Sequence, residues 1–238
     1  MKPYQSRIHL EVIATTLSDV RAAQDSGADR IELITAIAEG GLTPSLALVE
    51  QAVQLSTIPV RVMVRPHARS FVYDVDDCET ILKDIEHIRA VGAEAIVFGA
   101  LTEIGQVDEH LLKQVIAAAG EMKLTFHRAI DEASDLMEAL AVIKRHPSIT
   151  DILTSGGAPT APEGIHMIEQ MHFESIETGL HIMAGAGLTL DNIAVFTANT
   201  KITHVHVGST VRQAGKALMP LDPARVKMMR TELDRVIR

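Results

Sequence analysis

Short β-branched runs alternate along this chain with longer stretches in which apolar residues recur at helical spacing. The first run is Ile8-His9-Leu10-Glu11-Val12-Ile13, and an amphipathic segment from Ser18 follows it. That segment ends at Gly27, a residue suited to the left-handed stop of a helix. Arg30-Ile31-Glu32-Leu33-Ile34 is the second run, and Thr43-Pro44 reads as an N-cap with proline in the first turn of a helix to about Ser56. Val60 to Val64 is the third run, with a helix from Asp74 to Val91 stopped by Gly92. The later runs are Ala95 to Phe98, Leu124 to His127, Asp151 to Thr154, Leu180 to Met183 and His204 to Val207. Helices are expected over Asp108 to Ala119, over about Asp135 to His146 before Pro147, and near Glu163, Leu190 and Asp222. Eight strand–helix units of ~30 residues, with no gap long enough for a second domain, predict one α/β domain, a (β/α)8 TIM barrel over residues 1–238. An open doubly wound sheet would carry a Gly-rich turn after its first strand, where this chain has Ala14-Thr15-Thr16.

In such a barrel helices cover the outside, so a charged residue in mid-strand points inward or toward the mouth formed by the strand C-termini. Alternation puts Glu11 on one face with His9 and Ile13, Glu32 with Arg30 and Ile34, and Arg65 with Met63 and Arg61. His127 closes the fifth strand, His206 sits near the end of the eighth, and Met183 closes the seventh. Two carboxylates, one guanidinium and two imidazoles therefore converge, and buried charges of this kind must pair internally or hold a ligand. Two neighbouring carboxylates repel unless Arg65, a shared proton or a cation intervenes, which is how a carboxyl pKa is raised.

Three loops after late strands contain glycine: Thr154-Ser155-Gly156-Gly157, Ala184-Gly185-Ala186-Gly187 and Val207-Gly208-Ser209-Thr210. Ser155, Gly156, Gly185, Gly187, Gly208 and Ser209 could bring backbone N–H groups to an anion, or could simply make tight turns. Composition narrows the partners. The formal charge of −9 and the lack of any Lys/Arg cluster argue against nucleic acid. No stretch reaches the ~20 apolar residues of a membrane span, and Met1 to Arg7 lacks the apolar run of a signal peptide. A single cysteine, Cys78, excludes an intrachain disulfide and fits a reducing compartment, so the expected location is the cytoplasm.

Arg30-Ile31-Glu32-Leu33, Glu39-Gly40-Gly41-Leu42-Thr43-Pro44-Ser45, Arg65-Pro66, Thr125-Phe126-His127-Arg128-Ala129, Leu153-Thr154-Ser155-Gly156 and Ile182-Met183-Ala184-Gly185-Ala186-Gly187 together resemble the CutC copper-homeostasis family. The resemblance runs from about Leu10 to Gly208. It implies a TIM barrel, a cytoplasmic homo-oligomer and copper handling, without a defined reaction. The matching polar positions are Glu11, Glu32, Arg65, His127, Arg128 and His206. Departures accompany the match. Where family members often carry cysteine this chain has Ile13 and Ile34, Ala68-Arg69 replaces the usual Gly-Gly, and His204 replaces a Glu.

Two readings follow. In one the protein binds copper through Glu11, Glu32, His127 and His206, with Met63 and Met183 nearby; the apolar Ile13 and Ile34 weaken it, because Cu(I) prefers thiolate. His166-Met167 and Met171-His172 form a second His/Met group, read chiefly as a methionine stripe packed on the barrel. In the other reading the protein is an enzyme acting on a small anionic, phosphorylated or carbohydrate-like molecule. Glu11 or Glu32 is then the base, His127 or His206 the acid, and Arg65 and Arg128 the anion clamps, with a divalent metal held by the carboxylates as a variant.

Overall fold

Alternation along β1 (His9–Ala14) sends Leu10, Val12 and Ala14 outward against helices and His9, Glu11 and Ile13 inward. Seven further strands repeat this division: β2 (Arg30–Leu33), β3 (Val60–Met63), β4 (Ala95–Phe98), β5 (Lys123–Phe126), β6 (Ile149–Thr154), β7 (His181–Ala184) and β8 (His204–Val207). In the computed structural model, which describes residues 7–236, they pair in parallel and in sequence order, with β8 closing on β1. The chain is a single closed (β/α)8 barrel. The N-terminal stretch read above for a leader lies, apart from Arg7, outside the described residues.

The outer layer consists of α1 (Leu17–Gln24), α2 (Leu46–Leu55), α3 (Val75–Ala90), α4 (Glu109–Ala119), α5 (Leu136–Ile143), α6 (Ile165–Ser175), α7 (Ile193–Thr200) and α8 (Pro223–Val236). The main core lies between this layer and the strands, with Ile31, Leu33, Val62, Ile96, Phe98 and Phe126 buried from the strand side. Two helix boundaries differ from those predicted. α2 is capped by the Ser45 hydroxyl, not by Thr43, whose hydroxyl accepts the Arg65 backbone N–H at 2.9 Å instead. α5 ends at Ile143 and not at His146. Met171 of α6 is fully buried in the core and His166 points into solvent, so the second His/Met group is a packing stripe. Among the described residues no helix is long and apolar enough to cross a membrane.

Below the mouth, ions fill the barrel instead of aliphatic side chains. Arg30 Nε donates to Glu11 Oε2 at 2.5 Å, and its two terminal nitrogens reach Asp151 Oδ1 at 3.2 Å. Arg61 donates to Asp151 Oδ2 at 2.6 Å and also to the Thr125 hydroxyl. Burial would raise the carboxyl pKa of Asp151, but Arg61 and Arg30 outweigh it and hold the group below its usual range. Such a lattice survives burial because each charge has a close opposite. Above it sits a small separate apolar cluster of Ile34, Met63 and Val97, with Ile13 and Ile37 against it. At the other end, His204 is stacked between His9 and His181, with ring centroids at 4.7 and 4.2 Å.

Candidate functional site

The mouth opens into a cavity of about 720 Å3, within the range of small-molecule pockets. Four strands place an inward residue there or just beyond: Glu32 from β2, Met63 and Arg65 from β3, His127 after β5 and His206 from β8. Ile13 and Ile34 also line it, so the two positions where the resemblance implied cysteine face the cavity and are apolar here.

Glu32 is 2% exposed, and its Oε1 is buried with no hydrogen-bond partner. Its Oε2 lies 3.8 Å from His206 Nε2. Burial, reinforced by the neighbouring Glu11 charge, pushes its pKa up to about 7 despite the opposing attraction of His206. Glu11 was expected beside it as an alternative base. The structure instead sets Glu11 one step deeper, where its oxygens are taken by Arg30 and, at 2.7 Å, by His206 Nδ1. Burial alone would raise Glu11, but Arg30 and then His206 hold its carboxyl far below the ordinary range. Glu11 is therefore a fixed anion that orients His206. Burial alone would lower His206, but Glu32 and Glu11 outweigh it and raise the imidazole.

His127, expected as one of two alternative acids, is buried. Its Nδ1 accepts the Ala129 backbone N–H at 3.2 Å, and its Nε2 is buried without a partner. Burial, together with the Arg65 charge, lowers its pKa to about 3. The ring is neutral and presents an N–H. It also lies outside the metal-type cluster, in which only Glu11, Glu32 and His206 bring ligand atoms within 4.8 Å of one another among the described residues. Met183, expected near the mouth, lies below it, its sulfur accepting from Arg30 at 3.2 Å.

Gly99 makes room for this ring, because a Cβ there would lie 2.6 Å from His127 Nδ1 and 3.0 Å from the Ala129 Cβ. Gly99→Ala is expected to displace His127 and cost about 1–3 kcal/mol, read as a lowered Tm in thermal unfolding. An unchanged Tm would show that the ring is free to move.

Arg65 is buried, and among the described residues no carboxylate pairs with it. One terminal nitrogen donates to the Glu39 carbonyl at 3.2 Å, the guanidinium lies 4.4 Å from the Phe71 ring centre, and Nε has no partner. The Glu39–Ser45 segment explains itself here. Gly40 and Gly41 have φ of 84° and 94°, and a Cβ on Gly40 would sit 3.2 Å from the arginine.

The three glycine loops separate. Asp131, in the 3-10 turn Arg128–Glu132, fills the first from within the protein. Its carboxylate accepts Ser155 N at 3.0 Å, Gly157 N at 3.1 Å and the Thr154 hydroxyl at 2.5 Å. At Ser155 the acceptor is thus the chain's own side chain, while Gly156 N donates to the Thr154 hydroxyl at 2.8 Å. Arg128, expected as a free clamp, donates to Asp131 at 2.8 Å and to the Ser155 hydroxyl at 2.8 Å, though it still borders the cavity. Gly185 is a packing glycine, where a Cβ would meet Leu153 at 2.6 Å, and it does not line the cavity. Gly187, Gly208 and Ser209 do line its rim, beside Arg225 of α8.

Sequence reasoning missed Asp131, Asp151, Phe71 and Arg225. The rule that singled out Glu11 and Glu32, a charge in mid-strand, applies to Arg61, but Asp151 escapes it because the sequence pattern starts the sixth strand there, whereas the strand starts at Ile149. Nothing in the local pattern separates Asp131 from a surface loop acid.

A model of the CutC family matches residues 8–211. A relative described as family protein CutC from Glaesserella parasuis serovar 5 (strain SH0165) is 38% identical over 197 residues, covering 83% of this chain and 80% of that one. Another from Sinorhizobium medicae (strain WSM419) is 34% identical over 241 residues, covering 96% and 97%. Among solved structures, the putative copper homeostasis protein CutC from Streptococcus agalactiae superposes with a TM-score of 0.78 at 28% identity, over 84% of this chain and 97% of that one. Phosphoribosyl anthranilate isomerase from Thermococcus kodakaraensis, at 14% identity and a TM-score of 0.60 over 97% and 99%, shares the fold. With the motifs and the barrel in agreement, the chain belongs to the CutC family.

Proposed function

We propose that this CutC-family protein acts on a small anionic metabolite by proton transfer, with Glu32 as the group that takes and returns the proton. One observation carries the reading: a fully enclosed carboxyl with an unpartnered oxygen, facing a cavity, whose pKa is raised to about 7. A carboxyl of that kind exchanges protons near neutral pH, as general acid–base chemistry requires. Arg65, buried with no carboxylate partner, supplies the attraction for a negative ligand.

Copper handling enters through the family and through the name of the Streptococcus agalactiae relative. The donor chemistry of the cavity does not fit Cu(I). Among the described residues its only lining sulfur is the Met63 thioether, since Ile13 and Ile34 occupy the positions where the resemblance implies thiolates. Cys78 lies on α3, with its thiol pKa raised by burial and by acidic neighbours. The Glu11–Glu32–His206 group has the right elements for a harder cation, but both Glu11 oxygens are already engaged.

A thermal-shift screen of phosphorylated and carboxylated sugars tests the proposal. At least one compound at about 100 Kd is expected to raise Tm by about 5 °C or more, and Arg65→Met is expected to abolish the shift. Cu(I) titrated against a chromogenic chelator is expected to stay with the chelator. One tightly held Cu(I) per chain, with no anion shifting Tm, would replace this reading by the copper one.

A further inference from the structure

Two buried donors in the corner around Arg65 stand without acceptors. Arg65 Nε has no acceptor, and His127 Nε2 has none. Because His127 Nδ1 is already accepting the Ala129 N–H, the ring proton of the neutral imidazole must sit on Nε2. Phe71 ties the two together, with the guanidinium on its face and the His127 ring 4.9 Å from it. The buried Tyr73 hydroxyl, which can both donate and accept, lies close enough for Arg65 to act on it by charge and by hydrogen bonding. An unmet buried donor costs about 1–3 kcal/mol, so this corner is organised for an acceptor that the protein does not itself provide.

The acceptor can be narrowed further. A phosphate would be served by many backbone N–H groups or by several cations. Here one fixed positive charge stands beside one neutral N–H donor, and both line the same cavity as Glu32 and His206. A neutral imidazole polarises a carbonyl without surrendering its proton, which an imidazolium would tend to lose to a developing oxyanion. The depressed pKa of His127 agrees with the tautomer its hydrogen bond imposes.

We infer that Arg65 and His127 Nε2–H form an oxyanion subsite, and that the substrate class is α-hydroxy carbonyl compounds, whose enediolate this subsite stabilises. The inference rests on the proton-transfer role of Glu32 proposed above. In the step, the Glu32 carboxylate takes the proton from the hydroxyl-bearing carbon. The C–H electron pair becomes the new C=C bond, and the carbonyl π pair moves onto oxygen, where Arg65 and His127 hold it. Returning the proton to the same carbon gives the epimer; returning it to the neighbouring carbon, with proton exchange between the oxygens, gives the aldose–ketose isomer. No oxidant or reductant is consumed.

Isothermal titration with glycolohydroxamate, a planar enediolate mimic, against glycolate, an ordinary carboxylate of the same size, tests the assignment. Wild-type protein is expected to bind the hydroxamate at least ~10-fold more tightly than glycolate. Arg65→Met and His127→Phe should each weaken it by about 10²-fold, the scale of one oxyanion donor, and His127→Gln should recover part of the loss. Circular dichroism and Tm of each variant separate misfolding from lost contacts. Glu32→Gln should keep the binding, since that residue moves the proton and does not hold the oxyanion. In 15N spectra of the wild-type protein His127 should be the Nε2–H tautomer, its N–H signal moving downfield when the hydroxamate binds. Equal affinity for glycolate and hydroxamate, or hydroxamate binding unchanged in folded Arg65→Met, overturns the subsite. If anionic sugars still shift Tm while the hydroxamate does not bind, the enediolate inference falls and the broader anion reading stands. If neither binds, both fall.

Discussion

Glu32→Gln is expected to make the protein more stable at pH 8 by about 1–3 kcal/mol while lowering turnover by about 10²–10⁴-fold. The stability effect follows from linkage. In the unfolded chain a glutamate titrates near its ordinary value of 4.5, whereas in the fold burial and Glu11 raise Glu32 to about 7. Below pH 4.5 both states hold the proton and nothing is lost. Between these values the folded state keeps a proton that the unfolded state releases, so stability falls as pH rises, and it levels off above 7. Glutamine removes that penalty. Urea unfolding of both proteins at pH 4 and pH 8 checks the sign: the variant should gain at pH 8 and show little difference at pH 4. A variant less stable than wild type at pH 8 would mean that Glu32 is paired and ionised. The 13C signal of the Glu32 carboxyl gives a direct check, with a midpoint near 7 expected.

Asp151→Ala acts in the opposite direction. It removes the one carboxylate that faces both Arg30 and Arg61, leaving Arg61 without an ion-pair partner and Arg30 with Glu11 alone. Removing one member of a buried ionic group costs about 3–5 kcal/mol, a large part of a domain's net stability. The expected result is a midpoint in urea lowered by about 1 M or more, or a protein recovered only as aggregate. Asp151→Asn, which keeps the shape and part of the hydrogen bonding, should lie between. A midpoint within error of wild type for the alanine variant would show that water enters the barrel and solvates the arginines.

These two residues also show how far the sequence could be read. Period-two alternation was enough to put Glu32 inside the barrel, because an outward charge there would pierce the helix layer. It could not tell that Glu32 would remain unpaired while Glu11, on the adjacent strand, would be neutralised. That distinction depends on register: Glu11 lies opposite Arg30 and His206, and Glu32 opposite Ile13 and Arg61. Asp151, which the sequence pattern places first in its strand, carried no such signal, and its pairing reaches residues 90 and 121 positions away. The Ser155-Gly156 loop has the composition of an anion cradle and indeed holds an anion, but that anion is Asp131. Composition cannot say whether a cradle is already filled.

The ionic layer beneath the mouth has a consequence for how this barrel can diverge. Glu11, Arg30, Asp151 and Arg61 neutralise one another in a chain, so none of them can change alone without stranding a charge. They form a floor that must be inherited intact or replaced all at once. The walls above it obey no such constraint. Ile13, Ile34 and Met63 make only apolar contacts and face the opening. A lineage can exchange them one at a time, for sulfur or for a hydroxyl, and so alter what the barrel handles while its foundation stays the same.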